Sequence, residues 1–394
     1  MFWVSYIDDY LVGGPKEEVE AVIAEFTTRF TCTREGFQEH IGCKMDYNQV
    51  KRELKITQPV MIQTLKDEFE LDSIPEAAAR GYTTPASPGS TLQVVEAEFH
   101  VPPHRQSYLR KGNGTLLWIA RKSRPECLNA VREIGQCAGR ACEAHIKQMH
   151  RIMQYIVNTE KRGVMIRPKQ HINGTEIFDF KFQVTGGSDS DYATNAETRR
   201  SVSGYGVELN GVVVVRQCKN QNMVTLSSCE AEIVAYAAAA KEILFVQQII
   251  ESMGLHVQYP MTADIDNNGG RYLINNWSTG GRTKHMAVRL YWLRELKQNG
   301  ILEPRYKSTD SNHWDLFTKN LGQDAFDRHV AYFCGEDDPY IWTVVKKKPR
   351  KTSGVPGARK EDVGMISARE TTVRKDTVKL GVRKLQDEED RTES

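Results

Sequence analysis

Residues 178–335 predict an α/β fold in which strands of mixed direction are combined with helices. Two observations support this prediction. Asn210-Gly211 separates two apolar runs and is a strong hairpin signal, because both turn residues must accept a positive φ. After this hairpin, strand and helix patterns alternate, which is typical of an α/β sheet. Apolar residues make up 40% of the 394 residues and charged residues 26%, so the chain can bury a core.

The spacing of the apolar residues along the chain predicts each helix and strand of this region. The clearest helix begins at Ser227, which has capping-box spacing with Glu230, and Gly254 stands where a C-cap belongs. In order, the predicted elements are strands over Phe178–Asp189, Ser203–Leu209 and Val212–Gln217, a helix over 227–249, a strand over Met261–Asp266, a helix to about Trp277, a helix over Arg282–Asn299, a strand over Glu303–Ser308 and a helix from about Trp314.

The residues before 178 predict short strands followed by several helices. Residues 73–106 are rich in Pro, Ser, Thr and Gly, which predicts a loop. In order, we expect strand, acidic turn and strand over 2–12, a helix over 16–30, strands near 41–47 and 54–57, and helices near 59–69, 106–122, 125–138 and 143–158.

Charge, cysteine content and hydropathy exclude some classes of protein. The formal net charge is +2, but residues 346–394 hold 14 Lys and Arg against 9 Asp and Glu, so the tail is basic and the body slightly acidic. This charge distribution is not that of a sequence-specific DNA-binding protein, which has a broad basic face. The eight cysteines lack a C-x-x-C pair, which favours reduced thiols in an intracellular protein, cytoplasmic or nuclear. No run of eighteen apolar residues occurs, so we expect no membrane partner.

Four carboxylates fall at the ends of predicted elements, where a sheet gathers side chains from distant sequence positions: Asp189, Glu230, Asp266 and Asp315. Mg²⁺ prefers hard oxygen ligands, and a pair of ions activates water and stabilises a leaving oxygen. Each residue also has a structural explanation. Glu230 is then the N3 residue of a capping box, Asp266 an N-cap, Asp315 a first-turn residue favoured by the helix dipole, and Asp189 a turn residue.

Five short motifs occur in a fixed order over about 130 residues. They are Ser188-Asp189-Ser190-Asp191-Tyr192-Ala193 with Glu197–Tyr205, then Leu226–Glu232, Asp266-Asn267-Asn268, Arg282-Thr283-Lys284-His285 and Asp315–Lys319. This series resembles the ribonuclease H domain of copia-type (long-terminal-repeat) retrotransposon Pol polyproteins.

The resemblance implies a ribonuclease H-like mixed five-stranded sheet with helices. It also implies that Asp189, Glu230, Asp266 and Asp315 are the catalytic and metal-binding residues, with two Mg²⁺ ions for which Mn²⁺ substitutes. Asp191 and Glu232 are expected not to be ligands.

Tyr6-Ile7-Asp8-Asp9 resembles the YxDD turn of reverse transcriptases, in which adjacent aspartates hold metal ions for nucleotidyl transfer. Leu11–Gly13, Glu39–Cys43 and Ile56–Gln58 follow in the order of the copia enzyme. Because the earlier palm strand with its third aspartate does not precede them, we expect no DNA synthesis by this chain alone. The resemblance implies a partial reverse-transcriptase palm over 1–82, a mainly helical thumb or connection region over 83–177, the ribonuclease H domain over 178–335 and a charged, disordered tail over 336–394.

The activity implied by the resemblance is Mg²⁺-dependent, endonucleolytic cleavage of the RNA strand of an RNA/DNA hybrid, with other Pol and Gag products as further partners. The other interpretation is a catalytically incompetent retrotransposon remnant that at most binds nucleic acid. His313 is either a proton carrier or an exposed loop histidine. The expected nucleic-acid contacts, each of which has a solvated surface charge as its alternative, are Arg199, Arg200, Arg282, Lys284 and His285.

Overall fold

The computed structural model describes residues 1–71, 81–170, 176–276, 286–339 and 377–382. Contacts divide the described residues into two compact units, one with residues 1–45 and 377–382 and the other with residues 46–339. The predicted segment limits at residues 82 and 177 lie inside the second unit and stay predictions.

The described elements follow the predicted order closely. The helices are α1 Lys16–Thr27, α2 Pro59–Glu68, α3 Pro103–Lys122, α4 Leu128–Cys137, α5 Glu143–Asn158, α6 Ser228–Ser252, α7 Asn268–Asn275, α8 Ala287–Gln298 and α9 Gln323–Cys334. The strands are β1 Phe2–Tyr6, β2 Asp9–Gly13, β3 Cys32–Gly36, β4 Glu39–His40, β5 Cys43–Asn48, β6 Glu53–Thr57, β7 Val164–Ile166, β8 Lys181–Phe182, β9 Val184–Asp191, β10 Val202–Leu209, β11 Val212–Asn220, β12 His256–Val257, β13 Met261–Ile265, β14 Leu302–Tyr306 and β15 Thr377–Val382.

The first unit contains the predicted hairpin with its acidic turn. β1 and β2 pair antiparallel, with Tyr6 opposite Asp9, and Ile7 in the turn has a φ of 52°. Helix α1 buries Val19 and Ile23 against Val12 of the hairpin, which forms a small core.

The tail departs from its prediction in one segment. β15 pairs antiparallel with both β2 and β3, so residues 377–382 complete a four-stranded sheet in the first unit. The prediction of a disordered tail is wrong for these six residues. Val378, Leu380 and Val382 alternate with other residues, which is a strand pattern that the charged composition of the whole tail hides.

Helices α2 to α5 pack together as the apolar spacing predicts. Their buried side chains include Leu65, Leu116, Ile134 and Ile152, and these belong to one core that also contains Trp314. The helical region and one face of the large sheet therefore share a core.

The large sheet has the order β11-β10-β9-β13-β14. β9, β10 and β11 pair antiparallel, whereas β13 is parallel to both β9 and β14. This mixed five-stranded sheet confirms the predicted ribonuclease H-like fold class. The first predicted strand is divided into β8 and β9, and the helix expected from Trp314 is instead a 3₁₀ turn over His313–Phe317, with α9 beginning at Gln323.

Helix α6 covers the other face of the sheet. Ile233, Tyr236 and Ile243 of α6 lie in one apolar core with Val207 and Ala263 of the sheet. By length and composition alone α6 could cross a membrane, but half of its most apolar window is buried inside the fold. It is therefore the core helix of this unit.

Trp314 fits against three glycines of the sheet. A Cβ atom added to Gly187 would lie 2.3 Å from Trp314 Nε1, and one added to Gly206 would lie 2.5 Å from Trp314 Cζ3. Gly204 touches the same turn, where an added Cβ would lie 2.8 Å from Phe317 Cβ. The glycines thus let the 3₁₀ turn that carries Asp315 approach the sheet closely.

We predict that Gly206→Ala destabilises the protein by about 3 kcal/mol, because the new methyl group overlaps both Trp314 and the Val215 carbonyl oxygen, 2.3 Å away. Gly114→Ala is the control, since Gly114 lies exposed in α3 with no atom within 4 Å of its added Cβ. That change should stabilise by about 0.5–1 kcal/mol. Urea unfolding measures both variants, and equal stability of the two would contradict the close fit.

Candidate active site

The sheet brings Asp189 and Asp266 together. Asp189 lies on β9, and Asp266 directly follows β13. The parallel pairing places Asp264 opposite Gly187, so Asp266 comes beside Asp189 two residues further along both strands. One carboxylate oxygen each of Asp189, Asp266 and Glu232 lies within 4.8 Å of the other two.

The glutamate of this group is Glu232, which corrects the expectation of Glu230. Glu232 Oε1 accepts hydrogen bonds from Ser190 N at 3.1 Å and Ser190 Oγ at 2.8 Å. Glu230 instead caps α6: its Oε2 accepts a hydrogen bond from Leu226 N at 2.6 Å, and its N–H donates to Ser227 Oγ at 3.2 Å. The two side chains leave the helix about 200° apart.

A sequence signal for Glu232 existed. Glu232 shares its helical stripe with Tyr236, Ala239 and Ile243, all of which are buried. Ile243 in turn lies against Gly186 of β9. A carboxylate on the stripe that faces the sheet is a stronger candidate than one in the first turn.

Asp315 reaches the cluster from the 3₁₀ turn and is near enough to share a hydrogen bond with Asp189. Thr318 Oγ1 donates a hydrogen bond to Asp189 Oδ2. Lys319 Nζ lies 3.3 Å from Asp189 Oδ2 and 3.5 Å from Asp315 Oδ1. Thr318 and Lys319 belong to the motif around Asp315, but sequence reasoning gave them no role.

Burial and mutual repulsion shift the protonation of the cluster. Burial first, and the Asp189 and Asp266 charges second, raise the pKa of Glu232 to about 9. Burial and Asp189 likewise raise the pKa of Asp315 to about 8. Burial also raises the pKa of Asp189, although Lys319 and Thr318 oppose it. The cluster is therefore electrostatically unfavourable when fully ionised.

This donor set fits a divalent cation. All its ligand atoms are carboxylate oxygens, which Mg²⁺ and Mn²⁺ prefer. Glu232 Oε2 is buried and has no hydrogen-bond partner among the described residues, so it has an open coordination position. Asp189, Glu232 and Asp266 could hold a metal ion.

The predicted nucleic-acid contacts are only partly described. Arg199 and Arg200 are exposed in the loop between β9 and β10, which begins three residues beyond Asp189. Arg282, Lys284 and His285 lie outside the described residues.

His313 is neither an exposed loop histidine nor a suitable proton carrier. Its ring stacks on Tyr332 with centroids 3.8 Å apart, and its Nδ1 lies 3.3 Å from His329 Nδ1. Burial, with Lys307 and His329, lowers its pKa to about 3. A neutral imidazole with this pKa is poorly matched to proton transfer at neutral pH.

The YxDD residues lie at the hairpin tip of the first unit. Tyr6 ends β1, Asp8 lies in the turn and Asp9 begins β2. In the described part of the chain, no third donor side chain completes a metal site with these aspartates.

The chain is similar in sequence to transposon Pol polyproteins. It is 24% identical over 332 residues to the Retrovirus-related Pol polyprotein from transposon RE1 of Arabidopsis thaliana, covering 84% of the chain and 21% of that protein. It is 24% identical over 334 residues to the Pol polyprotein from transposon TNT 1-94 of Nicotiana tabacum, covering 82% of the chain and 23% of that protein. The chain is thus similar to the Pol polyproteins of copia-type retrotransposons. It spans about a fifth of the length of these curated relatives.

Other similarities are more local. A stretch of 133 residues, 34% of this chain, is 32% identical to secreted RxLR effector protein 161 of Plasmopara viticola and covers 87% of it. The word "secreted" in that name describes the effector protein. No family model matches the sequence.

Two solved structures are also similar to this chain. LC11-RNase H1, isolated from compost, shares 10% identity over 37% of the chain and 96% of its own, with a TM-score of 0.28. The foamy viral protease-reverse transcriptase in complex with double-stranded DNA shares 12% identity, and the match covers 68% of this chain and 37% of that one, with a TM-score of 0.36.

Proposed function

We propose that the ribonuclease H-like domain cleaves the RNA strand of an RNA/DNA hybrid endonucleolytically, with Mg²⁺ as its cofactor. The observation that carries the proposal is the close group of buried Asp189 and Glu232 with half-buried Asp266, contributed by β9, α6 and the residue after β13. Bringing several carboxylates this close costs stability unless positive charge compensates them, and the single ammonium group of Lys319 does not balance them, so a purely structural role does not account for the group.

Each carboxylate has a defined part in this site. Asp189, Glu232 and Asp266 would hold one ion, and Asp315 with Asp189 offers ligands for a second. Mg²⁺ bound at such a site lowers the pKa of a water molecule and stabilises charge on a leaving oxygen. Ser190 and Thr318 orient Glu232 and Asp189 through their hydrogen bonds, so the ligands are positioned in advance.

The hybrid is the substrate that suits this arrangement and the family. A protein that reads a hybrid uses its shape, through contacts to 2′-hydroxyl groups and phosphates. We assign phosphate contacts to Arg199 and Arg200, because their loop begins close to Asp189, and to Arg282, Lys284 and His285. Substitution by Mn²⁺ and association with other Pol or Gag products are part of the same proposal.

The test is incubation of the full chain with a labelled RNA/DNA hybrid and Mg²⁺. We expect cleavage of the RNA strand that stops in EDTA and in Asp189→Asn. Asp191→Asn is the matched control, since Asp191 lies on the same strand outside the carboxylate group.

Hybrid binding without cleavage, by a chain that is folded by circular dichroism, would contradict the proposal. That result would support the incompetent remnant instead. Cleavage of duplex DNA at an equal rate would contradict the assigned substrate.

A further inference from the structure

Lys319 brings a positive charge into the carboxylate cluster. Its Nζ lies 3.3 and 3.4 Å from the two carboxylate oxygens of Asp189 and 3.5 Å from Asp315 Oδ1. The side chain is 34% exposed, whereas those of Asp189 and Asp315 are 1% and 8% exposed. One ammonium group thus compensates two buried carboxylates.

The cluster therefore has two positions for positive charge. The first lies among Asp189, Glu232 and Asp266, whose oxygens form the close group. The second lies between Asp189 and Asp315, and Lys319 occupies it.

The net charge of the cluster depends on which cations fill these two positions. Metal binding requires ionised carboxylates, and the four carboxylates then carry a charge of −4. Lys319 reduces this charge to −3, so one divalent cation leaves −1 and a second would leave +1. Without Lys319, two divalent cations neutralise the cluster. The second cation would also lie against the ammonium group between Asp189 and Asp315, so its binding is unfavourable while the ammonium remains there.

We propose that Lys319 is a built-in cation that fills the second position, so that the substrate-free protein binds one divalent cation. A second ion enters only when the ammonium leaves the space between Asp189 and Asp315. This inference rests on the proposed function, because it concerns the same cluster. Lys319 is a positioning residue in this scheme.

Isothermal titration with MnCl₂ tests the inference on the full chain. We expect one Mn²⁺ per wild-type chain and two per chain in Lys319→Met. Affinity at the first position should rise at least about tenfold in the variant, because a positive charge beside it is removed. Lys319→Gln should behave like Lys319→Met, because both remove the charge although glutamine keeps a polar side chain.

Lys307→Met is the matched control. Lys307 Nζ lies 3.1 Å from Asp264 Oδ2, so this lysine also contacts a buried aspartate of the sheet. Asp264 lies outside the close carboxylate group, and this variant should still bind one Mn²⁺.

Thermal unfolding gives a second readout if Lys319→Met folds poorly. Without cations, the variant should melt below the wild type, because its carboxylates lack their counter-charge. Mn²⁺ should then raise its melting temperature more than that of the wild type.

Two Mn²⁺ ions in the wild-type chain would overturn the role of Lys319 and leave the proposed function standing. Unchanged stoichiometry in a folded Lys319→Met would do the same. Absence of Mn²⁺ binding in every variant would overturn the metal site itself, and the proposed function with it.

Discussion

Glu232→Gln should lower hybrid cleavage by at least about 100-fold, whereas Glu230→Gln should retain activity within a few-fold. Removing residues that only orient metal ligands already costs about 10–100-fold, and removing a ligand costs more. Glu232 lies in the close group with Asp189 and Asp266, while Glu230 accepts its hydrogen bond from Leu226 at the start of α6. Both changes replace one oxygen by nitrogen, so they are matched in size and in net charge.

Cleavage rates and urea unfolding together distinguish the two glutamates. Glu230→Gln should cost about 1 kcal/mol of stability, as expected for a weakened helix cap. Glu232→Gln should keep or raise stability without Mg²⁺, because it removes one of several mutually repelling carboxylates. If Glu230→Gln abolishes cleavage and Glu232→Gln does not, the assignment made from the structure is wrong.

The same pair of residues shows how far the sequence could predict this site. Motif resemblance predicted Asp189, Asp266 and Asp315, and the structure brings them together at the end of β9 and β13. Within Glu230-Ala231-Glu232, the resemblance selected Glu230 and left Glu232 out of the ligand set, whereas the structure brings Glu232 to Asp189 and Asp266. The separation depends on which side of α6 faces β9, and that is set by packing on the sheet.

Elements whose identity depends on distant contacts were also harder to predict. The hairpin at Asn210-Gly211 and helix α6 carry local signals, and both form nearly where expected. The turn around Asp315 is 3₁₀ because Trp314 must fit against glycines of β9 and β10, which no local pattern encodes. β15 forms only because strands of the first unit flank it.

Without divalent cations, the protein should lose thermal stability as the pH rises from about 4.5 towards 9. The ordinary pKa of Glu232, 4.5, applies to the unfolded chain, and burial with the charges of Asp189 and Asp266 raises it to about 9 in the folded chain. Between these values the folded state holds a proton that the unfolded state has released. The contribution of Glu232 to the free energy of unfolding is therefore fully present below pH 4.5 and is lost as the pH rises through this window. Asp315, with a pKa raised to about 8, acts in the same direction.

Excess Mg²⁺ should oppose this loss, because the cation binds the ionised carboxylates and favours their deprotonation in the folded state. Melting temperatures recorded from pH 5 to pH 8.5 (about the lower and upper ends of the window) in EDTA and in Mg²⁺ measure the effect. The Mg²⁺-induced rise should be larger at the alkaline end, and Glu232→Gln should flatten the slope in EDTA by up to about 1 kcal/mol per pH unit. A flat wild-type profile in EDTA would mean that the cluster is solvated and ionised without metal, since only burial and mutual repulsion raise these pKa values.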